Sequence, residues 1–311
     1  MQDTFISPQS LKPGDTIGVF TPSSPAYQDN PGLFENGLRS LERMGFKTKL
    51  GTITQSRGSQ GYRSGSGRDR AAEFMDLITD PEERGLVSTI GGYNSNGVIP
   101  FLDFEAIRRS RKVICGDFDV TSLNLAILHY SELRTFYGPS VMCWFGEWPD
   151  GIPESTQWFL EAVMIHREGG RHIQRPDRFS RHRRNWANYE WKTAPRQWQE
   201  NLGWRVLAPG RVEAAIVAFN LNTLLSAAGT PYWPDFRGRI LLIEEMDAPL
   251  MKEERASRQL ELMEIYKQIN SLIVGKPEIE DSAASTPVVF DALLLEILGR
   301  AHAFPVVTEF D

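Results

Sequence analysis

Short apolar runs alternate with amphipathic helices over residues 16–130, and this alternation limits the fold more than any other feature of the chain. "TIGVFTPSSP" reads as a strand closed by a small, polar turn. "LFENGLRSLERMGF" places Leu33, Leu38, Leu41 and Met44 at helical spacing, and "KTKL" follows as a short strand. "RDRAAEFMDLITD" is an amphipathic helix ended by Pro81, and "LVSTIGGYNSNG" is a strand running into a loop of glycine and asparagine. The helix "FEAIRRS" then leads into "KVICGDFDVTSLNLAIL", a strand, a tight turn and a helix from Val120 to about Tyr130. Such spacing predicts an α/β fold with a mostly parallel sheet covered by helices on both faces. Ligands of such sheets bind at the carboxyl ends of the strands. Three loops fall there: residues 21–25, 91–96 and 116–119.

The third loop poses the chemical question. A strand that turns sharply into a helix is how many α/β hydrolytic enzymes present a nucleophile. At this tip stand Asp117, Phe118 and Asp119, and a phenylalanine has neither a lone pair to attack a carbonyl nor a proton to pass.

The second half is again α/β. "GRVEAAIVAFN" is strand-like, "LNTLLSAAG" is a short helix ending at Gly229, and "RILLIEE" is a buried strand ending in acids. "KEERASRQLELMEIYKQI" is a charged helix and "SLIVGKP" another strand. Since single cores rarely grow past roughly 250–300 residues, 311 residues favour two domains. We expect an N-terminal domain over residues 1–165, a connecting segment dense in Arg and Trp over 166–200, and a smaller C-terminal α/β domain over 201–311. The formal charge of −6 argues against a nucleic-acid polymer as partner. Cys115 and Cys143 lie in apolar runs and are expected as reduced core residues. There is no run of ~20 apolar residues for a membrane span and no secretory pattern at the start, so a cytoplasmic protein is expected. The five histidines have no ligand spacing with Cys, Asp or Glu, so no metal is expected.

Seven segments in order then carry a resemblance over nearly the whole chain: "LKPGDTIGVFTPSSP", "GGYNSNGVIPFLDFEAI", "TFYGPS", "KTAPRQWQENLGWRVLAPGRVEA", "FNLNTLLSAAGTPYWPD", "GRILLIEEMDAP" and "LIVGKPE". Together they resemble the LD-carboxypeptidases and microcin C self-immunity proteins, with the Trp-rich middle closer to the immunity-type branch. The resemblance implies a cytoplasmic, cofactor-free hydrolase of serine-peptidase type, often dimeric. It would use a Ser–His–Glu triad on an amide beside a free carboxylate or on a peptidyl-adenylate. Residue by residue, Gly116 matches the glycine of the nucleophile turn, Asp117 takes its aromatic place, Phe118 its serine place, and Asp119 matches its aspartate. Gly91 and Gly92 match the oxyanion-hole loop, where a backbone N–H must approach a developing charge closely. Glu244 matches the triad glutamate. The family's histidine belongs to a Gly-His pair shortly after a strand like "FPVVTEFD", and the sequence given ends at Asp311, where that pair would begin. "VAFN" stands at 217–220, where the family usually has two glycines before the Asn.

Other residues have two readings each. Asp119 is an N-cap of the following helix or a water-activating carboxylate. Asp117 is a turn residue, or it orients a water or binds a cationic group. Tyr93, Asn94 and Asn96 serve the turn or a substrate amide, and Asn220 caps a helix or binds substrate. Trp186, among arginines, is the best match for a ring that stacks on adenine, against docking on the core. His302 suits a surface or capping role better than a catalytic base. Of Glu244 and Glu245, strand alternation allows only one to face a site. Three functions remain open: a hydrolase of peptidyl-nucleotide or LD-peptide amides, a catalytically silent relative that binds such a ligand, and a hydrolase in which Asp117 or Asp119 activates water.

Overall fold

The structure is a computed structural model and describes residues 5–164, 172–181, 184–186, 188–194, 196–246, 249–276, 289–299 and 302–311. It falls into two compact units, Met1–His172 with Arg183–Arg196, and Ile173–His182 with Gln197–Asp311.

The first unit carries β1 (Thr16–Phe20), α1 (Pro31–Arg43), β2 (Lys47–Leu50), α2 (Thr52–Ser56), α3 (Gly67–Thr79), β3 (Glu83–Ser88), α4 (Phe104–Ser110), β4 (Val113–Gly116), α5 (Thr121–Ser131) and β5 (Phe136–Tyr137). Its strands form one parallel sheet in the order β2-β1-β3-β4-β5. Helices cover both faces, so β1 and β4 are apolar along their length rather than alternating, and Ile17, Val19, Ile114 and Cys115 are fully buried. After β5 come a single π-helical turn, Val141–Phe145, and α6 (Pro153–Met164). Val141, Met142 and Phe145 join Leu33, Phe34 and Leu41 of α1 in the core.

Helix α3 anchors the sheet at both ends. Its start carries a capping box, with Ser66 accepting from the Asp69 N–H while Asp69 reaches back to the Ser66 N–H. Glu73, on its inner face, accepts the N–H of Thr21 and of Thr54, each at 2.8 Å, which pins the carboxyl end of β1 to α2. Burial pushes the Glu73 carboxyl above its ordinary range. At the amino end of the sheet, Lys49 pairs with Asp80 at 2.6 Å and with the buried Glu83 at 2.9 Å.

The second unit contains a two-stranded ribbon, β6 (Arg178–Phe179) with β7 (Gln199–Glu200), and a five-stranded sheet. The sheet comprises β8 (Arg205–Ala208), β9 (Ile216–Asn220), β10 (Ile240–Glu244), β11 (Ser271–Gly275) and β12 (Val306–Phe310), in the order β8-β12-β11-β10-β9. Only β8 runs antiparallel to its neighbour. Four further helices follow among the described residues: α7 (Glu190–Thr193) in the first unit, and α8 (Leu221–Ser226), α9 (Leu250–Leu262) and α10 (Phe290–Leu298) in the second. The expected strand over 210–220 forms only from Ile216. Its partner β10 begins opposite that residue, at Ile240, so residues 211–215 have no ladder to join.

The Arg- and Trp-rich stretch is tied into both units by its charges and rings. In the first, Arg184 is buried in an ion pair with Glu147, and Arg196 holds the same carboxylate at 2.6 Å. In the second, Arg178 lies over the Trp198 ring at 4.2 Å, and Arg181 pairs with Glu309 at 3.3 Å. Cys115 is buried and Cys143 half-buried, and neither forms a disulfide.

Candidate functional site

The loops at the carboxyl ends of β1, β3 and β4 meet through backbone and side-chain hydrogen bonds. Ser23 Oγ accepts the N–H of Tyr93 at 3.0 Å and of Asn94 at 3.1 Å. Gly92 lies against it at φ +149°, where a Cβ would stand 2.2 Å from that oxygen. Arg70, reaching up from α3, binds the carbonyls of Pro22, Gly65 and Asn94 and the Asn94 side chain. This guanidinium is 2 % exposed. It serves as the knot between the loop at 21–25 and the loop at 91–96.

The strand–turn–helix at 113–131 has the sharp apex expected of it. Phe118 sits at φ +49°, the left-handed region that costs a bulky residue roughly 1–2 kcal/mol. Its N–H donates to Tyr137 Oη at 3.2 Å, and its ring meets Tyr93 edge-on at 5.5 Å. Gly91 lies under it so closely that a Cβ there would approach Phe118 Cβ to 2.9 Å. Thus Gly91, Gly92, Tyr93, Asn94 and Phe118 are brought together, and the apex presents a ring. Asn96 is exposed on the same loop.

The two aspartates beside the ring diverge. Asp119 Oδ2 accepts the Ser95 N–H at 2.8 Å, and its carbonyl accepts the Ser95 hydroxyl at 2.5 Å. Asp119 therefore caps the 3-10 turn after β3 (Ser95–Phe101) rather than α5, whose start has no side-chain cap. Asp117 leans the other way, past β4 toward β5. Its Oδ2 accepts Trp144 Nε1–H at 2.8 Å and the Ser140 hydroxyl at 3.2 Å, while Oδ1 is buried with no hydrogen-bond partner. Burial pushes the Asp117 carboxyl up to about 6, against the pull of these two donors. Side chains committed to opposite neighbours do not share a water between them.

In the second unit, Glu244 ends β10 opposite Asn220, which ends β9. Asn220 Oδ1 caps α8 by accepting the N–H and hydroxyl of Thr223 at 3.0 and 2.9 Å. Its amide nitrogen lies 3.4 Å from Glu244 Oε2 and 3.3 Å from Glu245 Oε1. The expectation that only one of the two glutamates could face this side fails. The strand ends at Glu244, so the alternation that separates successive side chains no longer governs Glu245. Glu245 also takes the N–H of Asn222 at 2.9 Å. Glu253 of α9 completes the group, buried, its carboxyl pushed up to about 8 by desolvation and by Glu245 and Glu244. These acids line a small cavity with Leu221, Ile243, Val274 and Phe290. His302 Nδ1 lies 2.7 Å from the carbonyl of Gly299, just past α10, the capping role expected of it. Trp186 is half-buried and packs on the core of the first unit, and Trp191 is buried there.

Two family descriptions match the sequence: the LD-carboxypeptidase N-terminal domain over residues 17–138 and the LD-carboxypeptidase C-terminal domain over residues 213–311. The chain belongs to the LD-carboxypeptidase family. A Vibrio cholerae protein whose name proposes a carboxypeptidase is 34% identical over 97% of this chain and 88% of its own length. The Escherichia coli microcin C7 self-immunity protein MccF is 33% identical over 97% of this chain and 86% of its own. The solved structure of MccF without ligand matches with a TM-score of 0.92 at 33% identity, covering 98% of this chain and 90% of that one. MccF in complex with aspartyl sulfamoyl adenosine matches at 0.91 with the same identity and coverage. A complex of MccF with glutamyl sulfamoyl guanosine matches at 0.90 and 34% identity, covering 99% and 90%. The α/β architecture expected from the sequence is the family's own. Among the described residues no helix is long and apolar enough to cross a membrane, and no cluster of three or more His, Cys, Asp or Glu is arranged to hold a metal.

Sequence reasoning did not single out Arg70, Ser23, Ser95, Tyr137, Ser140 or Trp144. Each is an ordinary residue within a helix, strand end or loop, and its role depends on partners 19 to 71 positions away in the chain. Only the serines of "TPSSP" and "YNSN" carried a signal, since small hydroxyl residues at strand ends favour tight turns.

Proposed function

We propose that this chain binds aminoacyl- or peptidyl-nucleotide ligands at the loops around Phe118 and does not cleave them through a covalent acyl-enzyme. One observation carries the reading: the apex of the turn keeps its strained backbone, at φ +49°, while the side chain there is a phenyl ring packed on Tyr93. A nucleophile must supply an electron pair at that place, and the ring supplies none. The loop beside the apex keeps Gly91 and Gly92 in close backbone contact with Phe118 and Ser23, its Tyr93 and Asn94 N–H groups are tied to Ser23 Oγ, and the Tyr93 side chain is left exposed. The solved structures of MccF in complex with aspartyl sulfamoyl adenosine and with glutamyl sulfamoyl guanosine support the ligand class. In this reading Tyr93, Asn94 and Asn96 contact the ligand, and Trp186, half-buried against the core of the first unit, offers the exposed part of its ring to the base.

The test is equilibrium binding by calorimetry, with AMP and aspartyl sulfamoyl adenosine as probes. Saturable one-to-one binding is expected, lost or weakened at least tenfold on Tyr93→Ala. No heat from either probe overturns the reading. A second reading, water activated by a carboxylate, is favoured by the Asp117 carboxyl held near 6 with one oxygen unpartnered. It requires turnover of a hydrolysable aminoacyl phosphoramidate that disappears in Asp117→Asn.

A further inference from the structure

The relatives' ligands named above carry an acidic aminoacyl group. The charges around the apex of this chain suit the opposite sign. The loops at 21–25, 91–96 and 116–119 carry two charged side chains of their own, Asp117 and Asp119, and Arg70 of α3 is bonded into them. Arg70 spends its donors on the carbonyls of Pro22, Gly65 and Asn94 and attracts Asp119 electrostatically. Arg63, outside these loops, also acts on Arg70, whereas Asp117 has no cationic side chain paired with it. Asp117 adjoins the apex, is 9 % exposed as a residue, and keeps one buried carboxylate oxygen without a hydrogen-bond partner, so its charge acts through the rings that cover it. No lysine or arginine of these loops is free to receive an acidic group.

The exposed surface around this carboxylate is aromatic. Tyr93 is 88 % exposed and stands edge-on against Phe118. Trp144 is 38 % exposed, and its indole is fixed in place by the bond from Nε1 to Asp117. Ring faces with an anion behind them attract a cation and offer nothing to a carboxylate. We infer that the apex of this chain selects ligands whose aminoacyl part is cationic, lysyl- or arginyl-like, over the aspartyl and glutamyl ligands of its relatives. Asp117 is the residue that determines this preference. The inference rests on the nucleotide-binding reading above.

Titration of the full chain at pH 7.5 with AMP, lysyl sulfamoyl adenosine and aspartyl sulfamoyl adenosine tests it. The lysyl compound is expected to bind about tenfold or more tighter than the aspartyl one, the scale of one unit charge at a partly desolvated site. Asp117→Asn, close in shape, should bring the ratio to within about threefold of unity. An aspartyl compound that binds as tightly as the lysyl one overturns the inference while AMP binding upholds the nucleotide reading. So does a ratio unmoved in a folded Asp117→Asn. Absence of binding by all three probes overturns both. Should Asp117→Asn not fold, the wild-type ratio decides alone.

Discussion

Asp117→Asn should make the first unit more stable, and increasingly so as the pH rises. A carboxyl whose folded pKa lies above its unfolded value is destabilising once ionised. The unfolded chain ionises Asp117 near 3.8 and the folded chain only near 6. Below 3.8 both states are protonated and the residue contributes nothing to the pH dependence. Between 3.8 and 6 the unfolded state alone releases its proton, and stability falls by up to 1.36 kcal/mol per pH unit. Above 6 the penalty is constant at roughly 3 kcal/mol. Asparagine cannot ionise, and its oxygen still accepts from Trp144 Nε1 and Ser140 Oγ. The difference between variant and wild type should therefore grow by about 1–1.5 kcal/mol from pH 5 to 7.5 and then level off. Because two units need not unfold together, amide hydrogen exchange in peptides covering β4 and α5 reads the relevant opening better than a global melt. A variant-minus-wild-type difference that is flat with pH, or that shrinks as pH rises, refutes the buried-carboxylate argument.

Three further outcomes follow from the geometry. Gly92→Ala forces a Cβ onto Ser23 Oγ at a φ that favours glycine, and should destabilise the first unit by about 1–3 kcal/mol in urea denaturation, with faster exchange of the Tyr93 and Asn94 amides. Arg70→Met leaves the carbonyls of Pro22, Gly65 and Asn94 short of a donor. It should cost about 2–4 kcal/mol and raise proteolytic cleavage within 91–96, whereas Arg84→Met, on the exposed surface, should do neither. Glu253→Gln should gain on the wild type as pH rises from 4.5 to about 8, by a few kcal/mol, because wild-type folding must hold that carboxyl protonated beside Glu244 and Glu245. Protection of β10 and β11 amides against pH checks it.

Most of the fold was legible because parallel strands buried on both faces must be short apolar runs, and the helices between them must be amphipathic. The apex at Phe118 was readable from "VICGDFDVT" alone, since a strand, a glycine and a helix start leave little room for anything but a sharp turn. What surrounds the apex was not. Asp119 offered itself as the cap of the helix it precedes, and only the approach of the loop after β3 shows that it caps Ser95 instead. Asp117 looked like a turn residue until β5 and the π-helical turn brought Trp144 and Ser140 to it. Strand alternation allowed only one of Glu244 and Glu245 to face a site, a rule that holds only while the strand continues, and both reach Asn220. Local pattern predicts elements; partners far away in the chain are set by how those elements pack.

The central claim is that the turn is kept while its nucleophile is absent, so ligand is held and not cleaved. The most direct measurement incubates the protein with a hydrolysable lysyl phosphoramidate of adenosine and follows free lysine by mass spectrometry, at enzyme concentrations above the measured Kd. The account predicts that the ligand is recovered intact at full occupancy, with no covalent adduct on the intact protein mass. Release of lysine in excess of one equivalent per chain, or an acyl adduct on the protein, would contradict it.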